Sequence, residues 1–330
     1  MMAKLCGGTH ISTVSPTATP IKSKPRVFAV CDVGTFTGLI LVVRSSGARL
    51  TPVVEERYTI DLLSGKGPSG HLTGVALERA GKVARRFVQV AEEQGADKGA
   101  IVCTAAVRDA PNGSQFAGSL QKLTEYPVRV LSARREAALS VLGAISGLKV
   151  SASPTITVDI GGGSTEVVFT DKGRMRFRLI NCGAVRATAE WGRAIGRSTV
   201  RSNQYHRLSE LVFDDLSGLR GRVPRVIGVG GTLVTLAAIH CRLKSFDSRR
   251  LHGTTLTLDW IAEMADRLAA MDQRAIRRLI PFDPHRARVL TAGTFLWAGV
   301  LNRLHANRVI VSVRGLRWGV AVRLSEQGRP

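Results

Sequence analysis

The chain has 330 residues, 44% of them hydrophobic, and a formal net charge of +22. That length holds two domains with full cores, and no run approaches the roughly 20 consecutive apolar residues of a membrane span, so a soluble chain is expected. Five scattered cysteines without CxxC spacing and seven dispersed histidines argue for reduced thiols in a cytoplasm and against a structural zinc site.

Taken in chain order, residues 1–25 are rich in Ser, Thr, Pro and Lys, carry no acid and show no hydrophobic period, which reads as a disordered tail. From Arg26, apolar runs broken by DVGT and SSGA read as successive antiparallel strands. A helix is predicted over Leu72–Gln94, a strand over Gly99–Thr104, a short helix over Asn112–Leu123, a strand over Val128–Leu131 and a helix over Arg135–Gly147. The order then restarts: TITVDIGGGSTEVVFTDKGRMRFRLINCG repeats the plan of strand, DxG turn, strand, basic turn and strand, and Val226–Ile239 repeats the strand-to-helix step of Ala100–Val107. Such a duplication predicts two α/β domains, over 26–150 and 151–330, facing each other across a ligand cleft.

Chemistry concentrates in the glycine turns. Gly161, Gly162 and Gly163 lack a Cβ, so their amides can meet a ligand directly and their backbone can take positive φ. Successive exposed amides suit phosphate, although a triple glycine alone also reads as a plain hairpin. Asp159 and Glu166 tip the balance, because carboxylates beside phosphate-binding amides are what Mg²⁺ or another divalent cation needs. Asp32 occupies the equivalent turn of the first half and would aim a second carboxylate at the cleft. Gly230, Gly231 and Thr232 precede an apolar helical run, so their amides would lie at a helix N-terminus, where the dipole favours phosphate.

The basic charge points to a polyanion, and it is spread through both halves rather than gathered in a tail. A long phosphate-rich substrate and nucleic acid both fit, as do plain solvated basic faces. Only 5% of residues are aromatic, so the stacking platforms of single-strand binding are scarce and nucleic acid is not favoured.

DIGGGSTE (Asp159–Glu166), GVGGT (Gly228–Thr232), TAAVRDAPNGSQF (Thr104–Phe116), LHG (Leu251–Gly253) and SVRGLRWG (Ser312–Gly319), in that set, resemble the Ppx/GppA exopolyphosphatase and guanosine-pentaphosphate phosphohydrolase family of the actin-like ATPase superfamily. The resemblance runs from about Arg26 onward. It implies two actin-like, ribonuclease H-like α/β domains with an interdomain cleft, a last helix that packs back on the first domain, and a homodimer in the cytoplasm. It implies that Glu136 activates the attacking water and that Arg108 contacts the substrate phosphate. Asp32, Asp159 and Glu166 match acids that hold Mg²⁺ or orient water, and Ser164 and Thr165 match hydroxyls near the terminal phosphoryl group. On residue type alone, Glu136 is a first-turn helix acid, Arg108 a surface residue, and the two hydroxyls partners of local backbone.

The expected activity is Mg²⁺-dependent release of orthophosphate from inorganic polyphosphate. Hydrolysis of pppGpp, and a catalytically weak polyphosphate-binding role, stand beside it. Phe36 replaces an amide side chain of the family's first turn, Ala133 and Arg135 replace a glycine and an acid beside Glu136, and Val313 and Trp318 alter the terminal motif. Arg135 is expected to lower the Glu136 pKa.

Overall fold

The computed structural model describes residues 25–47, 49–67, 69–148, 154–171, 174–195, 201–214, 216 and 225–327. The tail expected over 1–25, Pro25 apart, and the domain boundary expected at 150 lie outside the described residues.

The first half contains β1 (Arg26–Val33), β2 (Thr37–Ser46), β3 (Arg49–Thr59), α1 (Gly74–Glu93), β4 (Lys98–Cys103), α2 (Ala105–Arg108), α3 (Gly113–Thr124), β5 (Val128–Val130) and α4 (Ala133–Ile145). The second contains β6 (Thr155–Ile160), β7 (Thr165–Asp171), β8 (Arg174–Ile180), α5 (Ala184–Ile195), α6 (Arg201–Val212), β9 (Val226–Val229), α7 (Gly231–His240) and α8 (Ser248–Leu251). It continues through β10 (Thr255–Thr257), α9 (Leu258–Ala270), α10 (Gln273–Leu279), α11 (Ala287–Arg303), β11 (Arg308–Val311) and α12 (Leu316–Gln327).

The first sheet runs β3-β2-β1-β4-β5, with β1 to β3 antiparallel and β1, β4 and β5 parallel. The second runs β8-β7-β6-β9-β11-β10, which repeats that order and those directions and adds antiparallel β10 at the edge. The duplication legible in the sequence is therefore a duplication of sheet topology, and each sheet has the actin-like, ribonuclease H-like arrangement.

Because successive strand side chains point to opposite faces, β1 feeds two cores. Ala29, Cys31 and Val33 pack with Phe87 and Val90 of α1, while Phe28 and Val30 pack with Leu316, Trp318 and Val320 of α12. The last described helix thus closes the outer face of the first sheet. It does so at backbone contact with α4: a Cβ on Gly143 would strike the carbonyl of Gly315, and one on Gly319 would strike that of Leu139. The opposite side of α4 meets the second sheet, with Ala137 and Val141 against Val168 and Ala144 against Ile227 and Val229. Helix α4 is therefore wedged between the two sheets, and a side chain near its N-terminus can reach the groove between them.

Candidate active site

Asp32 is the penultimate residue of β1 and Asp159 the penultimate residue of β6. Each strand has a parallel neighbour on one side, and ligands of open α/β sheets lie outside the carboxyl ends of the parallel strands. Both acids line one cleft of about 160 Å³ of water-accessible space, together with Glu136 and the glycine turns. Ser140 Oγ donates to Asp159 Oδ2 at 2.8 Å. Glu136 and Ser140 are four residues apart on α4, which puts both on the helix face that meets the second sheet.

Between β6 and β7 the three glycines form the expected turn, but for a different steric reason than positive φ. None of Gly161, Gly162 or Gly163 has positive φ. Their need is close approach to the first turn: a Cβ on Gly162 would sit 3.1 Å from Thr35 Cβ, and one on Gly163 would sit 2.9 Å from Thr35 Oγ1. The two DxG turns touch each other, and only glycine leaves room. At the second glycine motif positive φ is used, with Gly230 at φ 105 capping α7, and the guanidinium of Arg286 occupying the space a Gly231 Cβ would need.

Glu136 lies in the first turn of α4, which Ser132 caps by accepting from the Arg135 amide. Its partner is Arg108, 28 residues earlier, whose Nη1 donates to Oε2 at 2.5 Å. Burial pushes the Glu136 carboxyl up to about 7, against the pull of Arg108. The expected lowering by Arg135 is thus corrected twice, because Arg108 is the neighbour and desolvation outweighs it. Burial also raises Asp32 to about 8, with the charges of Glu136 and Asp159 adding to it and Arg317 opposing. Asp159 and Glu166 are raised by burial too.

Other expected site residues divide cleanly. Gly161, Gly162, Gly163, Ser164, Gly230, Gly231 and Thr232 line the cleft, and Thr232 Oγ1 is buried without a protein partner. Thr165, Glu166 and Arg108 are not among its lining residues. The Thr165 hydroxyl is spent on the Cys182 carbonyl at 2.6 Å, and Glu166 is buried behind the turn, accepting from Ser164 Oγ at 2.8 Å. Sequence reasoning did not single out three arginines of the cleft wall, Arg57, Arg286 and Arg317. Asp283 pairs with Arg57 at 2.8 Å and with Arg286 at 3.0 Å, while Glu55 pairs with Arg317 at 3.1 Å. Burial, with the neighbouring Arg286 adding to it, lowers the Arg57 pKa to about 10, against the pull of Asp283.

Among the described residues, no three His, Cys, Asp or Glu side chains meet at ligand spacing. Mg²⁺ seldom asks for that, since it commonly binds through one or two carboxylates and fills its octahedron with water and substrate phosphate oxygens. Asp32, whose Oδ1 is buried without a partner, and Asp159 fit that kind of site.

The altered positions have defined places. Phe36 is 5% exposed and packs against Ala184, Val185 and Val289. Trp318 is buried in the first sheet's outer core, with Arg314 4.0 Å over its ring and Nε1 donating to Glu55 at 3.4 Å.

Two ribonuclease H-like units closing on an acid- and glycine-lined cleft define an actin-like two-domain protein. The chain belongs to the Ppx/GppA phosphatase family, whose profile matches residues 41–327. Exopolyphosphatase 2 of Mycobacterium tuberculosis is 25% identical over 317 residues, spanning 91% of this chain and 98% of the relative. A crystal structure of an exopolyphosphatase-like protein is 26% identical and superposes with a TM-score of 0.81 over 91% of this chain and 98% of its own. The Ppx/GppA family member of Aquifex aeolicus, 24% identical, shares the fold with a TM-score of 0.77 over 92% and 99% of the two chains. The protein is accordingly an enzyme of the phosphatase class.

Proposed function

We propose that the protein is a Mg²⁺-dependent exopolyphosphatase, which hydrolyses the terminal phosphoanhydride bond of inorganic polyphosphate and releases orthophosphate. The observation that carries this reading is the double lining of the cleft, by the acids Asp32, Asp159 and Glu136 and by the arginines Arg57, Arg286 and Arg317. A substrate with a reacting end and a train of further phosphates suits both sets at once. Phosphoryl transfer asks a protein chiefly for positioning and charge neutralisation.

Glu136 serves as the general base, holding a water by one carboxylate oxygen and taking its proton as the water oxygen attacks phosphorus. A base with a pKa near 7 matches proton transfer at neutral pH better than an ordinary glutamate. Arg108 fixes the carboxylate so that it faces the reacting end. The amides of Gly161–Gly163 and of the α7 N-terminus, with the free Thr232 hydroxyl, hold the phosphoryl oxygens. Asp32 and Asp159 would hold Mg²⁺, which when bound neutralises charge on the phosphoryl oxygens. The arginines balance the charge of the following phosphates, and the shortened chain leaves as a stable anion that needs no proton.

The test is phosphate release from long polyphosphate, tripolyphosphate, pppGpp and ATP, each across a Mg²⁺ titration. Polyphosphate is expected to give the highest kcat/KM, with no release in excess chelator. A folded sample that releases phosphate from pppGpp alone would replace this reading by the nucleotide one.

A further inference from the structure

Phe36 stands at a partition. Its ring, Val185 and Val289 line the catalytic cleft on one side and a second cavity, of about 320 Å³, on the other. These three residues and Ala184 form a small apolar cluster contributed by the first turn, the start of α5 and α11. The cavity behind it presents mostly apolar surface, to which Leu63 and Ala189 contribute, with Asp61, Ser64, Arg186, Thr188 and Arg288 also in its lining.

The partition is held rigidly. The Phe36 carbonyl accepts from the amides of Ile60 at 2.9 Å and Asp61 at 3.1 Å, and the Thr35 carbonyl accepts from Leu62 at 2.8 Å. Asp61 itself sits at φ 42, a left-handed conformation that a non-glycine residue adopts at a cost. It is anchored there by Arg288 of α11, at 2.9 Å, and by Arg79, which donates to its carbonyl at 3.1 Å. A turn tied to both its neighbouring loop and the second domain gives Phe36 little freedom to swing aside.

We propose that Phe36 is a specificity-determining residue: its ring seals the cleft from the second cavity, so that the cleft takes an unbranched phosphate chain and discriminates against one that carries a nucleoside. The shared lining supports this: the cleft already has a phosphate chain to hold, and the lateral space that a base and ribose would fill lies in the cavity behind the ring. An amide side chain at this position would offer hydrogen bonds there instead of an apolar wall. The inference rests on the phosphatase reading for its pair of substrates, but the wall itself is a matter of geometry.

The experiment compares the wild type with Phe36→Ala, Phe36→Asn and Val289→Ala, the last thinning the same wall from α11. Near-UV circular dichroism and a thermal melt establish that each variant is folded. Two readouts follow: the ratio of kcat/KM for GTP to that for tripolyphosphate, and the affinity for a non-hydrolysable GTP analogue by equilibrium dialysis. Opening the wall is expected to raise the ratio at least ~10-fold in Phe36→Ala, with a smaller rise in Val289→Ala, since pocket shape commonly discriminates on that scale. Analogue affinity is expected to rise in the same order. An unchanged ratio and unchanged affinity in folded Phe36→Asn and Val289→Ala would overturn the proposal. Should the wild type release phosphate from no substrate, the functional reading fails by itself, and analogue binding decides the partition: equal affinities refute it and tighter binding by the variants upholds it.

Discussion

The guanidinium of Arg108 lies 2.5 Å from Oε2 of Glu136, yet the carboxyl it holds has a pKa of about 7. The ion pair opposes the upward shift and burial causes it. Catalysis that needs ionised Glu136 is therefore expected to rise with pH through about 7 and then level off. In Arg108→Gln the opposing charge is gone, so the rising limb of log kcat/KM is expected to move to higher pH. Glu136→Gln keeps the size but accepts no proton, and about 10² to 10⁴ in rate should disappear while tripolyphosphate binding persists. A limb that stays in place in Arg108→Gln would uncouple the pair.

Asp32, buried and raised to about 8, carries a thermodynamic consequence in the metal-free protein. Its folded pKa exceeds its unfolded value near 4, so the native state binds the extra proton between those limits. Stability contributed by that protonated form is complete below about pH 4 and is lost as pH rises toward 8, at up to ~1.4 kcal/mol per pH unit. Urea midpoints of the metal-free protein are expected to fall across this window. Asp32→Asn, uncharged throughout, should flatten the fall and stabilise the protein at pH 8 while removing activity. A variant no more stable than wild type at pH 8 would count against burial as the cause.

The contact of the two DxG turns is open to a double-mutant cycle. Gly163→Ala drives a Cβ to 2.9 Å from Thr35 Oγ1, and such overpacking typically costs about 1–3 kcal/mol. Thr35→Ala removes the obstructing hydroxyl and methyl, leaving the Ala105 Cβ at an ordinary 3.4 Å. The double variant should be more stable than the sum of the single losses, by at least ~0.5 kcal/mol. Additive losses would mean that Gly163 serves the ligand and not the turn.

Salt separates a polymer substrate from a short one. Long polyphosphate covers more basic residues than tripolyphosphate, so its KM should climb more steeply with salt at constant Mg²⁺ activity. Arg57→Gln is expected to weaken both and to shallow the slope for the long chain, because Arg57 lines the cleft with Arg286 and Arg317. Equal slopes for the two substrates would place the +22 charge away from the substrate's path.

What was legible in the sequence was local. DIGGGSTE and GVGGT announce their turns because acid, glycine and hydroxyl stand within a few residues, and the repeat of strand and turn announced the second sheet before any contact was known. What escaped was assembled at long range. Arg57, Arg286 and Arg317 come from β3, the turn before α11, and α12; Arg317 stands within SVRGLRWG, but in a chain with 47 Lys and Arg nothing distinguishes Arg57 and Arg286 until the fold brings the three to one cleft. The partner of Glu136 was sought next door at Arg135, but a helix sends adjacent residues in different directions and the cap of α4 turns Arg135 to solvent. Ser140 did carry a signal, its spacing of four from Glu136. Thr35 carried none, since that glycines of one turn would rest on a hydroxyl more than a hundred residues earlier is a property of the docked pair.

The closure of the first sheet by α12 also sets an order of events at the ribosome. Phe28, Val30, Leu41 and Val43 share a core with Leu316, Trp318 and Leu324, which are synthesised nearly three hundred residues later. During translation that face has Leu131 and Leu139 to pack on but lacks α12, while the second sheet, all of whose strands precede residue 312, can already assemble. The earliest strands to emerge are thus the last to be fully covered, contrary to the usual N-terminal-first order of domain folding. Nascent chains arrested before Leu316 should expose an apolar sheet face to chaperones and proteases, and those extended past Gln327 should not.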